Sequence, residues 1–199
     1  MATTIDLLRH GEPEGGPMYR GSLDDPLSEL GWRQMQAAVE GHPAWEVIYT
    51  SPLRRCALFA DGLGQQMGVP VLREPRLQEM HFGTWEGRTS VSILETEPER
   101  LIAFWRDPLN HPPPEGEHLS AFRQRVEAAW QDMLAQNRER TLLLVAHSGV
   151  IRMLLGLVLQ VPLQNLSRMV VEYASVSRIR VDEVGGEPLP RLLFHGGRF

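Results

Sequence analysis

The chain contains no lysine; all 20 side chains counted as Lys or Arg are arginine. Schiff-base catalysis, pyridoxal phosphate attachment and a phosphate-loop lysine all need that ε-amine and are excluded. A phosphate held by a side-chain cation must therefore be held by arginine or histidine. The planar guanidinium fork suits two-point contact with phosphate oxygens. Cysteine is nearly absent too, and Cys56 alone cannot form an intrachain disulfide, which fits a reducing compartment. Long apolar runs are missing. Ile5–Leu8 is too short for a signal-peptide core and meets charge at once, while Val150–Val161 contains Arg152 and cannot span a bilayer. The net charge of −5 gives no general attraction to nucleic acid or anionic membrane. A soluble cytoplasmic protein is expected.

What is present is a chain of 199 residues with 42% hydrophobic content, enough for one sizeable core and short for two domains. Strand-like and helix-like segments alternate. Thr3–Arg9 reads as a strand, and Ser28 caps a helix running to Val39. Glu46–Thr50 is a second strand. Ser51-Pro52 then reads as an N-cap with proline at the first helical position, opening a helix to about Met67. Val69–Arg73 is a third strand, and short helices follow around Val91–Glu95 and Glu99–Trp105. Leu119, Phe122, Val126, Trp130 and Met133 recur at helical spacing, marking an amphipathic helix. Thr141–Ala146 is a central strand, and Met169–Tyr173, Val176–Val181 and Arg191–Phe194 read as strands near a sheet edge. The alternation predicts a single α/β domain over 1–199: three layers, a mostly parallel sheet with helices on both faces. Residues 80–118 form an insertion-like excursion of the kind that shapes a pocket. The apolar tail after residue 160 fits a homodimer edge.

Two strand ends carry the chemistry. The apolar run ending Leu7-Leu8 breaks into Arg9-His10-Gly11-Glu12, and Thr141–Ala146 breaks into His147-Ser148-Gly149. Open α/β sheets bind ligands at the carboxyl ends of their strands. Two histidines delivered to one rim beside an arginine point to chemistry on an anion.

Leu8-Arg9-His10-Gly11-Glu12 resembles the signature of the histidine phosphatase superfamily, the fold shared with the phosphoglycerate mutases. Further stretches agree in order: Asp25-Pro26-Leu27-Ser28 with Gly31, Ser51-Pro52-Leu53-Arg54-Arg55, Leu77-Gln78-Glu79 through Gly87, and Val145 through Arg152. The resemblance implies His10 as nucleophile, forming a phosphohistidine that splits hydrolysis into two easier steps. It implies Arg9, Arg54 and His147 as the clamp on the phosphoryl oxygens, where fixed donors matter most. Glu79 is implied as proton donor and then base. Arg20 and Ser22 depart from the commoner loop pattern; each is an added phosphate contact or a solvated loop residue. No cofactor and no metal is implied.

Within the superfamily, the Glu79–Gly87 stretch, Phe104–Pro108 and the Pro113–Glu117 turn resemble the alpha-ribazole phosphatases, which remove the 5′-phosphate of alpha-ribazole 5′-phosphate in cobalamin biosynthesis. Such a substrate carries a flat apolar base that wants an aromatic wall. Trp105, Trp85, His81 and Phe82 are the candidates, with Trp105 first; the competing reading makes these aromatics core residues of the excursion. Alternatives on the same fold are a broad-specificity small-molecule phosphatase or a mutase, and a non-catalytic binding protein is the remote one. His42, His111, His118 and His195 read as surface or loop residues.

Overall fold

The alternating segments resolve into strands and helices in the computed structural model, which describes residues 2–42 and 44–197. In chain order these are β1 (Thr3–Arg9), α1 (Glu29–Ala38), β2 (Val47–Thr50), α2 (Arg54–Met67), β3 (Val71–Arg73), α3 (Ser90–Thr96), α4 (Pro98–Arg106), α5 (Leu119–Gln136), β4 (Thr141–Ala146), α6 (Ser148–Leu159), β5 (Val176–Val184) and β6 (Glu187–Gly197). They build one six-stranded sheet in the order β3-β2-β4-β1-β5-β6. The first four of these are mutually parallel, whereas β5 runs antiparallel to β1 and β6 antiparallel to β5. This is the mostly parallel three-layer α/β fold expected from the alternation.

Strands covered on both faces need apolar residues at odd and even positions alike. Ile5, Leu7, Leu142 and Leu144 pack against Phe122, Val126 and Trp130 of α5 and Leu154 of α6. Their neighbours Leu8, Ile48, Leu143 and Val145 face the other way, onto Met35 of α1 and Phe59, Ala60 and Leu63 of α2. Asp6 is the exception inside β1. It is fully buried, and its carboxylate accepts from Arg178 Nε at 2.7 Å, Arg178 Nη2 at 3.0 Å and Trp45 Nε1 at 2.8 Å. A buried carboxylate persists only with such partners.

Ser28 caps α1 as expected, its Oγ accepting from Gly31 N at 3.0 Å. Two expectations fail. First, α2 opens at Arg54 with Leu53 at its N-cap, so Ser51 and Pro52 lie outside the helix. Ser51 Oγ accepts from Leu53 N at 3.3 Å and holds a preceding turn. Second, Met169–Tyr173 joins no strand ladder. It crosses the strand ends as a strap, tied by Arg152 Nε to Met169 O at 2.8 Å. The excursion after β3 holds two 3₁₀ turns, Pro75–Leu77 and Gly83–Trp85, then α3 and α4. It has its own small core of Trp85, Ile93 and Leu101, with Tyr19, Phe82 and Phe104 packed against it. Among the described residues no helix is long and apolar enough to cross a membrane.

Candidate active site

Parallel register brings the functional side chains together. β1 and β4 pair up to Arg9 and Ala146, and the ladder continues one step as His10 N donates to Ala146 O at 2.9 Å. On the other side of β4, Ser51 N donates to Val145 O at 3.1 Å just beyond the end of β2. His10, His147 and Ser51 therefore leave three neighbouring strands on one rim. The His10 and His147 rings meet edge to face with centroids 5.2 Å apart. Gly11 lets the chain turn back at once: a Cβ there would stand 2.2 Å from Gly31 O in the first turn of α1.

Both rings have assignable tautomers. His10 Nδ1 lies 2.7 Å from Gly11 O, and a carbonyl can only accept, so Nδ1 carries the hydrogen and Nε2 the lone pair. Burial, then the charges of Arg55 and Arg9, push the His10 pKa well below the ordinary histidine value. His147 is the reverse. Arg55 Nε donates to Nδ1 at 3.2 Å, so Nε2 carries the hydrogen and donates to Ser51 Oγ at 2.7 Å. Burial and the Arg55 charge also hold the His147 pKa far below its usual value. Two neutral imidazoles thus face each other. Cys56 Sγ lies 3.7 Å from His147 Nε2, but burial pushes its thiol up to about 12, so no thiolate competes there.

The arginine pair at the start of α2 divides differently from the expectation. Arg54 is exposed, and its backbone N–H is the group held, donating to Asp24 Oδ1 at 2.6 Å. Arg55 is the buried one, tied by Nη1 to Leu23 O at 2.5 Å and Nη2 to Gly21 O at 2.9 Å beside its bond to His147. The reason is helix register. Four-residue spacing puts Arg55 on one face of α2 with Phe59, whose side chain packs on the sheet, and Arg54 on another with exposed Leu58. Arg9 reaches the strap: Nη1 donates to Val171 O at 2.6 Å and the guanidinium lies 4.0 Å from the Tyr173 ring centroid. Its buried Nε has no acceptor among the described residues.

Glu79 follows the first 3₁₀ turn and reaches the N-terminal turn of α6. Oε2 accepts from Gly149 N at 3.1 Å and Ser148 Oγ at 3.4 Å, while Oε1 accepts from Met80 N at 3.1 Å. The carboxylate therefore sits against the two residues that follow His147. Gly149 makes this approach feasible, since a Cβ at that position would lie 2.3 Å from Glu79 Oε1.

The remaining candidates separate. Arg20 is buried but turned onto its own loop, with Nε on Asp25 Oδ2 at 3.0 Å and Nη2 on Gly16 O at 2.6 Å and on Glu14 O. Ser22 is committed to Glu86, with Oγ donating to Oε2 at 2.7 Å. Trp85 is a core residue and not a pocket wall, being fully buried beneath Phe104. Phe82 is half-buried and packs edge-on against Tyr19. His81 is exposed, its Nε2 3.8 Å from Glu86 Oε1. Trp105 remains exposed, and its indole N–H donates to Tyr19 Oη at 2.9 Å. Arg55, Ser51 and Tyr173 (whose ring centroid lies 5.8 Å from that of His10) escaped sequence reasoning. For Arg55 a signal existed in its four-residue spacing from Phe59; for Tyr173 none did, because only the strap's path places it.

A model of the histidine phosphatase superfamily, branch 1, matches residues 5–189. Among curated proteins, glucosyl-3-phosphoglycerate phosphatase of Mycolicibacterium vanbaalenii is 34% identical over 170 residues, covering 80% of this chain and 75% of that one. Phosphoserine phosphatase 1 of Hydrogenobacter thermophilus is 29% identical over 181 residues, covering 89% and 86%. Among solved structures, the alpha-ribazole phosphatase from Shigella flexneri superposes with a TM-score of 0.82 at 26% identity, over 98% of this chain and 96% of that one. With the strand-end histidines, the buried arginine and the family match in agreement, the chain belongs to the histidine phosphatase superfamily, branch 1.

Proposed function

We propose that the chain is a metal-independent phosphomonoesterase working through a phosphohistidine on His10. The observation that carries this reading is the His10 ring, with Nδ1 committed to Gly11 O, Nε2 holding the lone pair, and the ring kept neutral by burial and two guanidinium groups. Nε2 attacks phosphorus in line while the bond to the leaving oxygen breaks, and Glu79 delivers a proton to that oxygen. Water then attacks the phosphohistidine, Glu79 takes its proton, and His10 and inorganic phosphate are released. Among the described residues Arg9 Nε is a buried donor without an acceptor, a state that costs about 1–3 kcal/mol and that a phosphoryl oxygen would relieve. Arg55 uses three of its five N–H groups on protein acceptors and keeps two for the same oxygens. His147 holds Arg55 in place and adds its Nε2–H by exchanging Ser51 Oγ for phosphate. The clamp is thus Arg9, Arg55 and His147.

For the substrate we carry forward alpha-ribazole 5′-phosphate. The motif order and the whole-chain likeness to an alpha-ribazole phosphatase support it. So does the exposed Trp105 face beside Tyr19, although Trp85 no longer contributes. A second reading, a phosphorylated sugar acid, is favoured by the 34% identity to a glucosyl-3-phosphoglycerate phosphatase. Phosphate release from these two substrates and phosphoserine, measured in the presence of a chelator, tests both. A preference of about 100-fold or more in kcat/KM for alpha-ribazole 5′-phosphate supports the first reading. Comparable weak turnover of all three leaves the His10 chemistry and removes that substrate. His10→Ala must abolish turnover and the acid-labile phosphoenzyme while the fold survives; retention of either sinks the scheme.

A further inference from the structure

We infer that the Arg125–Glu117 pair is the device that positions Glu79, an assignment resting on the proton-donor reading of Glu79 given above. Glu79 lies on a stretch with no ladder or helix of its own, between the 3₁₀ turns Pro75–Leu77 and Gly83–Trp85. Such backbone holds its course only if its carbonyls find donors. They converge on one guanidinium. Arg125 Nη1 donates to Arg76 O at 2.7 Å and to Gln78 O at 2.7 Å, and Nη2 donates to Glu79 O at 3.0 Å. The two remaining N–H groups take the Glu117 carboxylate, Nε on Oε1 at 2.7 Å and Nη2 on Oε2 at 2.8 Å. All five donors of the fork are spent on this stretch and its counter-ion.

Glu117 closes the other side. Its Oε2 accepts from His81 N at 3.4 Å, and its own N–H donates to His81 O at 2.8 Å. The backbone is therefore fixed before, at and after Glu79. The base of the clamp is rigid, because Arg125 lies 4.7 Å from the ring centroid of Phe122, which is buried with Val126 in the main core. Glu117 balances the Arg125 charge, so the pair orients Glu79 with little net positive charge beside it. Lysine cannot substitute: a single ammonium has three donors and no planar fork to span three carbonyls and a carboxylate.

The test separates positioning from bulk stability through the leaving group. kcat/KM reports the steps up to departure of the leaving oxygen. Phenyl phosphate needs a proton donor more than 4-nitrophenyl phosphate does, because phenoxide is the more basic leaving group. In the full chain, Arg125→Lys and Glu117→Gln are each expected to lower kcat/KM for phenyl phosphate about 10-fold or more, with the nitrophenyl ester changing by no more than about 3-fold. Glu79→Gln, run alongside, should show the same selectivity. Equal losses on both esters in the Arg125 and Glu117 variants, or no loss, against a selective loss in Glu79→Gln would overturn the positioning role. Equal losses in Glu79→Gln itself would overturn the proton-donor reading instead. Should Arg125→Lys show no cooperative thermal transition, the isosteric Glu117→Gln carries the decision.

Discussion

Arg55 Nε donates to His147 Nδ1 at 3.2 Å, and this one bond fixes both the tautomer of the second strand-end histidine and the direction of the guanidinium fork. Neighbouring Arg54 takes no part in it. In the proposed clamp, removing Arg55 strips donors from the phosphoryl group, a loss that costs about 100- to 1,000-fold in comparable sites. Arg55→Ala should therefore lower kcat/KM by that order, while Arg54→Ala should stay within about 2-fold, as an exposed side chain would. Steady-state kinetics on the pair of variants checks the assignment, and a larger loss in the Arg54 variant would reverse it.

The depressed pKa values of His10 and His147 set a pH dependence. The unfolded chain protonates both rings as pH falls through the ordinary histidine value of 6.5, whereas the folded chain does so only at lower pH. Between those limits the unfolded state binds more protons, so stability is complete above pH 6.5 and falls below it. Thermal midpoints should decline as pH drops from 6.5, less steeply in His10→Asn. Because His10 stays neutral in the folded state, kcat/KM should show no acid limb at 6.5 from this group.

Gly149→Ala places a methyl where Glu79 Oε1 now lies, at a nominal 2.3 Å. The carboxylate or the α6 turn must shift, and a displacement near 1 Å at a reacting group costs about 100-fold. The variant should fold, with the loss larger for phenyl than for 4-nitrophenyl phosphate. Equal rates on wild type and variant would show that Glu79 does its work from another position.

Asp6→Asn addresses the fold alone. The substitution keeps shape but removes the charge that Arg178 and Trp45 bind inside β1. Arg178 is partly exposed, so the loss should be about 2 kcal/mol, less than for a fully buried pair. Calorimetry should record a thermal midpoint lower by about 4–8 °C for a chain of this size. Catalysis should be unchanged in kcat/KM at a temperature where both proteins are folded.

Much of the site was legible because its parts are local. A strand end is marked by apolar residues giving way to Arg9-His10-Gly11 or His147-Ser148-Gly149, and β1 and β4 occupy the expected residues. The helix boundary after β2 was less legible. Ser51-Pro52 has the composition of a cap and first turn, yet Ser51 Oγ is engaged by His147 and by Leu53 N, a non-local claim that delays α2 to Arg54. The strap is a similar case: Met169–Tyr173 has strand composition, but its carbonyls serve the side chains of Arg9, Arg152 and His195 rather than a strand ladder.

The sequence by itself determined the chemistry available to this protein. With no lysine, the side-chain cations left to hold a phosphoryl group are arginine and histidine, and the periodicity of its apolar residues set a mostly parallel sheet with two covered faces. Tertiary structure alone decided which of those groups meet. Arg55 rather than Arg54 faces the rim, Trp85 fills a small core while Trp105 stays outside, and Arg125 gathers the carbonyls around Glu79. The physical reason is range. Hydrophobic periodicity and strand ends are properties of a few consecutive residues, whereas helix register, burial and shared donors depend on partners tens of residues away.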